Sequence, residues 1–182
     1  YSRQRDVTPF MAILAALQVL LHRMSGQDDI VIGTPVANRG APELENVIGP
    51  FVNSLALRVN LAENPTFNEF LSQVRQVTID AIDNREIPFD LVVEAVNPLR
   101  TLGHAPIFQV MLALHNFPIQ EPSVGDLNCT IVKMETRTAR FDLTVDMVVF
   151  QNKFVATYEY ATDLFDRATI ERLHDNLMQL LR

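Results

Sequence analysis

The segment from Phe10 to Leu21 most restricts how this chain of 182 residues can fold, because Gln18 is its only polar residue. A Thr-Pro pair before it and a Ser-Gly pair after it are start and stop signals, so we predict a helix from Pro9 to about Met24. A helix that is apolar on every side must be covered on every side. Because a membrane span needs roughly 20 apolar residues, this shorter run predicts a buried helix in a globular domain.

The composition supports one globular domain, with 48% apolar and 20% charged residues. The net charge of −7 argues against a nucleic-acid partner, because nucleic-acid-binding surfaces are basic. The single cysteine, Cys129, permits no internal disulfide and fits a reducing compartment. No secretory leader follows Tyr1. We therefore expect a piece of a longer cytoplasmic protein that has no membrane partner.

The remaining chain alternates between helix and strand signals. We predict strands at 30–38, 48–59, 107–117 and 127–136, a hairpin turning at 151–152, and helices at 67–84, after Pro88 and after Asp166. The strand at 107–117 is apolar enough to be buried on both faces. This order of elements predicts an α/β (α+β layered) domain with a mixed β-sheet flanked by helices.

One strand carries an amide where a hydrophobic residue is expected. In the stretch IGPFVNSLALRV, alternation places Asn53 on the same face as Phe51, Leu55, Leu57 and Val59. An unpaired buried amide costs on the order of 1–3 kcal/mol, so something must satisfy it. Two explanations stay open: the amide contacts a substrate or orients a site, or it bridges backbone groups of the protein itself.

The residues alone supply no complete catalytic set. The four histidines, His22, His104, His115 and His174, do not have metal-ligand spacing, and we predict no metal site. There is no nucleophile elbow and no glycine-rich phosphate loop. Of the histidines, His115 ends a buried strand, where it either lines a cleft or has a structural role.

Six stretches, taken in order, resemble the condensation domain of non-ribosomal peptide synthetases: SGQDDIVIGTPVANR, IGPFVNSLALR, REIPFDLVVEAV, HAPIFQVMLALHN, TARFDLTV and YATDLFDRATIERL. They match only the second half of that domain. The family's His-His-x-x-x-Asp-Gly motif belongs to the first half, and this chain has no His-His pair. The resemblance identifies residues 1–182 as the C-terminal, acceptor-side lobe.

The resemblance implies two chloramphenicol-acetyltransferase-like lobes with a tunnel between them, in which an acceptor amine attacks a donor thioester to form an amide. It places the general-base histidine in the other half, so no catalytic residue is expected here and the chain alone should be inactive. No cofactor is expected to bind directly, since phosphopantetheine arrives on carrier proteins. The implied partners are the N-terminal lobe, peptidyl carrier proteins and a neighbouring adenylation domain.

The resemblance also suggests site residues. The residues expected to line the tunnel or contact substrate are Asn53, Ser54, His115, Thr138, Arg140 and Asp142, with Phe141 in the same segment as the last three. Arg39, or less favourably Arg58, would form a salt bridge with the aspartate of the motif in the other lobe. The alternatives are an ordinary connection between strands at 138–142 and solvated arginines.

Two other functions remain open from the sequence. A related epimerisation or heterocyclisation domain would share many of these stretches, and a non-catalytic acetyltransferase-like scaffold would share the fold. An isolated lobe should also expose an apolar face, because its covering lobe would be missing.

Overall fold

The structure is a computed structural model that describes residues 2–40, 42–44, 47–98, 103–115, 138–150 and 153–182. Its elements are α1 (Pro9–Ser25), β1 (Asp29–Ala37), β2 (Val52–Asn60), α2 (Phe67–Asp83), α3 (Phe89–Val96), β3 (Val110–His115), β4 (Leu143–Phe150), β5 (Lys153–Tyr160) and α4 (Arg167–Leu180). Short 3₁₀ turns occupy Ser2–Arg5 and Pro42–Leu44. The strand predicted at 127–136, with Cys129, and the turn predicted at 151–152 lie outside the described residues.

The described strands form one mixed sheet in the order β2-β1-β3-β4-β5. The two outer pairs, β1 with β2 and β4 with β5, are antiparallel, whereas β3 runs parallel to both β1 and β4. The predicted hairpin is therefore the β4–β5 pair. The mixed sheet and its helices confirm the predicted α/β layered fold class.

The sequence signals at the ends of α1 act as predicted. The Thr8 hydroxyl accepts a hydrogen bond from the Met11 N–H at 3.2 Å, which satisfies one of the free donors of the first turn. Gly26 has φ 69° and donates its N–H to the His22 carbonyl at 2.9 Å. A side chain at that left-handed position would be strained, which explains why a glycine ends the helix.

Helices α1, α2 and α4 cover one face of the sheet and build the core with it. The strand residues of this core alternate as predicted and include Ile30, Ile32, Leu55, Leu57, Val59, Leu112, Leu143, Val145 and Met147. Eight of the 17 residues of α1 are buried, Gln18 included. The Gln18 amide donates to the Leu57 carbonyl at 3.3 Å, while its Oε1 atom has no partner within the described part of the chain.

On the other face of the sheet, the absence of a side chain at Gly33 leaves room for an aromatic ring. A Cβ atom at Gly33 would lie 2.1 Å from Cε2 of Phe108, far closer than two carbon atoms can approach. Phe108 is buried, with 1% of its surface exposed. Gly33 is therefore required because its missing side chain makes the space that the Phe108 ring fills.

A strained turn brings Phe108 to this position. Ile107 has φ 70°, and the Phe108 N–H donates to the Pro106 carbonyl at 2.9 Å. A β-branched residue with positive φ costs of order 1–3 kcal/mol, which the burial of Phe108 offsets. The turn also explains why β3 begins at Val110 and not at Ile107, where the apolar run begins.

An aromatic contact joins β5 to α4. The Tyr158 hydroxyl and Nδ1 of His174 are hydrogen-bonded at 3.1 Å, and the two rings meet edge to face with centroids 5.5 Å apart. Burial raises the pKa of Tyr158 from its ordinary 10.0 to about 12, because a phenolate loses solvation there.

Gly33→Ala should destabilise the fold by about 1–3 kcal/mol, since the new methyl group must displace the Phe108 ring. The free energy of unfolding, measured in urea, tests this. Gly103→Ala is the matched control, because nothing lies within 4 Å of a Cβ atom there. In a Phe108→Leu background the cost of Gly33→Ala should fall; an unchanged cost would contradict the contact.

The pH dependence of stability should show the Tyr158 shift. Because the pKa is higher in the folded than in the unfolded state, its contribution is fully present below pH 10.0 and is lost as pH rises towards about 12. In Tyr158→Phe, the free energy of unfolding should decline less steeply with pH over this range. The difference in slope should correspond to at most one proton per molecule. If the free energies of unfolding of the two proteins fall with pH at the same rate, the pKa shift of Tyr158 is absent.

Candidate functional site

The Asn53 side chain binds three backbone groups of the α2–α3 connection. Its Nδ2 atom donates to the Arg85 carbonyl at 2.8 Å and to the Ile87 carbonyl at 2.7 Å. Its Oδ1 atom accepts from the Phe89 N–H at 3.1 Å. Both amide hydrogens are therefore used within the protein. These bonds explain how an amide is tolerated on a face shared with Leu55 and Leu57.

A row of three phenylalanine rings continues from this connection. The centroids of Phe89 and Phe108 are 5.3 Å apart, and those of Phe108 and Phe141 are 5.4 Å apart. The rings come from the start of α3, the approach to β3 and the approach to β4. Such pairs contribute about 0.5–1.5 kcal/mol beyond their burial. The row thereby links the Asn53 contacts to the segment 138–142.

The segment 138–142 leads into β4 and is partly exposed. The Arg140 guanidinium lies 5.6 Å from the centroid of the Phe141 ring. Asp142 is half-buried, and its carboxylate is 3.9 Å from Nδ1 of His104. Thr138 is exposed. Three of the predicted site residues, Thr138, Arg140 and Asp142, thus lie in one segment whose position Phe141 fixes.

Ser54 and His115, the other two residues predicted to line the tunnel, lie on the sheet face away from α1, α2 and α4. His115 Nε2 lies 3.1 Å from Asp146 Oδ1 across the β3–β4 pair. Ser54 pairs with Pro35 at the sheet edge and is half-buried. By strand alternation, Ser54, His115 and Asp146 share the face on which Phe108 lies.

The two arginines considered for an inter-lobe salt bridge have different surroundings. Arg39 donates to the carbonyls of Leu44 and Val47, the latter at 2.7 Å, and its guanidinium lies 4.3 Å from the centroid of the Phe51 ring. Both acceptors are uncharged, so these bonds do not neutralise the charge of Arg39. They hold the β1–β2 connection in place.

Arg58 is already paired with a carboxylate of this chain. Its Nε and Nη2 atoms donate to Asp29 at 2.9 and 2.7 Å across the exposed ends of β1 and β2. The hydrogen bond from Arg58 lowers the pKa of Asp29. This pairing favours Arg39 over Arg58 for a salt bridge to the other lobe, and that salt bridge stays a prediction.

Sequence reasoning missed Phe89, Phe108 and Asp146. Phe89 and Phe108 stand in stretches that the resemblance had singled out, but spacing along the chain does not show which rings meet. Asp146 follows the polar alternation of its strand, which could have placed it on the same face as Thr144. Its pairing with His115 depends on a strand register that the sequence does not show.

The other kinds of site have little support among the described residues. No group of three or more His, Cys, Asp or Glu side chains there is arranged to hold a metal ion. No helix in the same ranges has the length and apolar character to cross a bilayer. A cavity of about 490 Å³ lies away from the predicted residues, among the ends of α1, α2, α4 and β5, with Ile13, Phe67 and Phe154 in its wall.

Comparison with known families and proteins gives consistent matches. The family model described as "Condensation domain" matches residues 2–182. A linear gramicidin synthase of Brevibacillus parabrevis is 41% identical over 99% of this chain and 2% of its own length. Malpinin synthetase from Mortierella alpina is 46% identical over 94% of this chain and 2% of its own length. The chain thus spans a small fraction of the length of these relatives.

Solved structures match along nearly the whole chain. A four-domain nonribosomal peptide synthetase bound to AMP and glycine superposes with a TM-score of 0.89 at 29% identity, covering 99% of this chain and 15% of that one. The X-domain from teicoplanin biosynthesis superposes with a TM-score of 0.88 at 25% identity, covering 98% of this chain and 42% of that one.

Asn53→Ala should lower the free energy of unfolding by about 1–3 kcal/mol, because three backbone groups lose their partner. Asn53→Asp should cost at least as much at neutral pH, since a carboxylate keeps the bond from Phe89 but cannot donate to the two carbonyls. Urea unfolding at neutral pH measures both.

Asn60→Ala is the matched control on the same strand. Asn60 makes one exposed bond, from the Ala62 N–H at 2.8 Å, and its loss should cost below about 1 kcal/mol. Equal effects at positions 53 and 60 would show that the three bonds of Asn53 do not stabilise the fold.

Proposed function

The chain belongs to the condensation-domain family and has its chloramphenicol-acetyltransferase-like fold, and on this premise we propose that it forms the acceptor-side lobe of a domain that makes amide bonds. The observation that carries the proposal is the family match over residues 2–182. The relatives named as a gramicidin synthase and a malpinin synthetase support it, because each matches more than nine-tenths of the chain.

The proposed reaction joins two thioester-bound substrates. The acceptor amine attacks the donor carbonyl, a C–N bond forms, the C–S bond of the donor thioester breaks, and the thiolate leaves. The amine loses a proton and the thiolate gains one. A general base must lie within hydrogen-bonding reach of that amine. This chain lacks the His-His motif, so we assign the base to the other lobe and predict that the chain alone is inactive.

We assign to this lobe the positioning of the acceptor. Asn53 acts through the α2–α3 connection, because both hydrogens of its amide are bound to backbone carbonyls. Ser54 and His115 present polar groups on the face without the core helices, and Arg140 with Asp142 borders it through the Phe141 ring. Ser54, His115, Arg140 and Asp142 would line the acceptor side of the tunnel, and Asn53 would hold the connection beside them.

Arg39 is the residue we propose to pair with the aspartate of the missing motif. Its hydrogen-bond acceptors are the neutral carbonyls of Leu44 and Val47, whereas Arg58 is neutralised by Asp29. A pair between lobes would position the histidine loop more than it would stabilise the domain.

The partners follow from the same premise. Peptidyl carrier proteins would bring both substrates on phosphopantetheine arms, which belong to the substrates and supply the thiol that leaves. A neighbouring adenylation domain would load the acceptor carrier. The four-domain synthetase among the structural matches supports such a setting. We place the protein in the cytoplasm, and its net charge of −7 argues against a nucleic-acid partner there.

The test is a complete condensation domain containing this lobe, supplied with acyl- and aminoacyl-loaded carrier proteins. We expect a product on the acceptor carrier with the summed mass of an amide. A product with inverted stereochemistry and no joining of substrates would indicate an epimerisation domain. Further loss of water would indicate heterocyclisation, and no conversion would favour a scaffold.

Variants of the two arginines sharpen the same assay. Arg39→Ala should reduce amide formation by about tenfold or more, equivalent to roughly 1.4 kcal/mol in the barrier. Arg58→Ala is the matched control and should stay close to wild type, because exposed ion pairs contribute only about 0–1 kcal/mol. Equal losses of amide formation in the two variants would contradict the proposed role of Arg39.

A further inference from the structure

An aspartate stands in the middle of an interior strand of the sheet. Asp146 lies on β4 between the buried core residues Val145 and Met147. Aspartate is depleted in β-strands, although a charge on an edge strand can prevent unwanted pairing. Because β4 pairs with β3 on one side and with β5 on the other, protection of an edge does not explain Asp146.

Asp146 has one side-chain partner in the described part of the chain, His115. We call these two residues the strand pair. Nε2 of His115 donates to Oδ1 of Asp146 at 3.1 Å, and the two side chains are 37% and 43% exposed. An exposed ion pair contributes only about 0–1 kcal/mol to stability. A carboxylate accepts hydrogen bonds at both oxygens, so Oδ2 of Asp146 can bind a ligand while Oδ1 holds the imidazole.

Two other histidine–aspartate pairs show what distinguishes the strand pair. In the turn after α1, Nδ1 of His22 is 3.4 Å from Asp28 but only 2.8 Å from the Gln27 carbonyl. That histidine therefore serves the turn. His104 and Asp142 are 3.9 Å apart, which is too far for a hydrogen bond. Of these three pairs, only the strand pair joins its two side chains by the closest contact and lies on the sheet face without the core helices.

The residues on neighbouring strands favour a cation beside the strand pair. Asp146 stands opposite Ala113 on β3 and opposite Thr157 on β5. Glu159 shares the face of Thr157 and is diagonal to Asp146, about 7–8 Å away. Lys153 also shares that face, but it lies four residues before Thr157, roughly 13 Å along the strand. The second carboxylate is therefore nearer to Asp146 than the lysine is, and the local charge is negative.

We propose that the strand pair selects the acceptor substrate by binding an ammonium group on the acceptor's side chain. The inference rests on the proposed function, in which this face lines the acceptor side of the tunnel, and it adds the class of acceptor. His115 fixes the orientation of the Asp146 carboxylate, and Oδ2 accepts a hydrogen bond from the ammonium group. Such a charge-assisted bond is about twice as strong as a neutral one, and an acceptor with an apolar side chain cannot form it.

The side chain of the acceptor fits this role better than its α-amine does. The α-amine must attack the donor carbonyl, and it must lie within reach of the general base, which the proposed function assigns to the other lobe. A carboxylate bound to the α-amine would stabilise it as an ammonium ion, which has no lone pair for the attack. The strand pair therefore suits a second positive group, as in the side chain of lysine.

Binding of acceptor carriers to the complete condensation domain tests the inference. Two samples of the acceptor carrier protein are prepared, with lysine or norleucine joined to the phosphopantetheine arm through an amide in place of the thioester. The two side chains are similar in length and differ in the terminal ammonium group. Isothermal titration calorimetry without a donor gives the two Kd values. We expect the lysyl carrier to bind about tenfold more tightly, equivalent to roughly 1.4 kcal/mol.

Variants assign this preference to the strand pair. Asp146→Asn should bring the ratio of the two Kd values close to 1 and leave the norleucyl carrier's Kd unchanged, because the amide keeps an oxygen for His115 but carries no charge. Asp28→Asn is the matched control, since Asp28 also lies beside a histidine and is 51% exposed, and it should keep the wild-type ratio. His115→Ala should reduce the ratio, and His115→Gln, which keeps an N–H donor, should restore part of it.

Three results would overturn the inference: equal Kd values for the two carriers in the wild type, a preference that survives Asp146→Asn, or a loss that is the same for both carriers. A ratio unchanged in His115→Ala would contradict the role of that histidine. If Asp146→Asn does not fold, salt provides the same comparison on the wild type. At 1 M potassium chloride the Debye length is about 3 Å, so the preference for the lysyl carrier should decrease, and an unchanged preference overturns the inference.

Amide formation, assayed on the same proteins with thioester-linked carriers, separates the two proposals. A preference for the lysyl carrier that depends on Asp146, without amide formation, would support the selection of a cation and contradict the proposed function. Amide formation with no preference between the two acceptors would do the reverse.

Discussion

The three hydrogen bonds of Asn53 are the constraint on which the arrangement of the candidate site depends. They join the outermost described strand on that side, β2, to the connection between two helices. Because the bond to the Phe89 N–H lies at the start of α3, it fixes where that helix begins. The Phe89 ring then meets Phe108, and Phe108 meets Phe141. The Asn53 amide thus helps to locate the segment 138–142, although it forms no hydrogen bond with that segment in the described part of the chain.

Local patterns predicted most of the fold. The cap of Thr8, the left-handed Gly26 and the alternation through Leu55, Leu57 and Val59 are each encoded within a few residues, and the structure shows all three. The turn at Ile107 was not predictable, because its strain is offset by the burial of Phe108 against Gly33, about 75 residues away in sequence. Contacts between distant segments decide such local exceptions.

The family resemblance suggested candidate site residues but not how they are arranged. The family resemblance named Asn53, Arg39 and the segment 138–142, yet Asn53 bonds to residues that lie 32, 34 and 36 positions away. The same resemblance gave no physical reason to prefer Arg39 to Arg58. That reason comes from the register of β1 with β2, which places Asp29 beside Arg58. Partners set by strand register lie beyond what motif spacing can specify.

The side chains along β2 have a consequence for how this protein can associate. Asn53 brings the α2–α3 connection to one end of the strand, and the charged Arg58–Asp29 pair stands at the other. Both features hinder a further strand from adding to the ladder at that border. Of the two outer strands described, β5 has exposed Phe154 and Val155 near its start. Of these two strands, β5 is therefore less protected than β2 against backbone pairing with a foreign peptide.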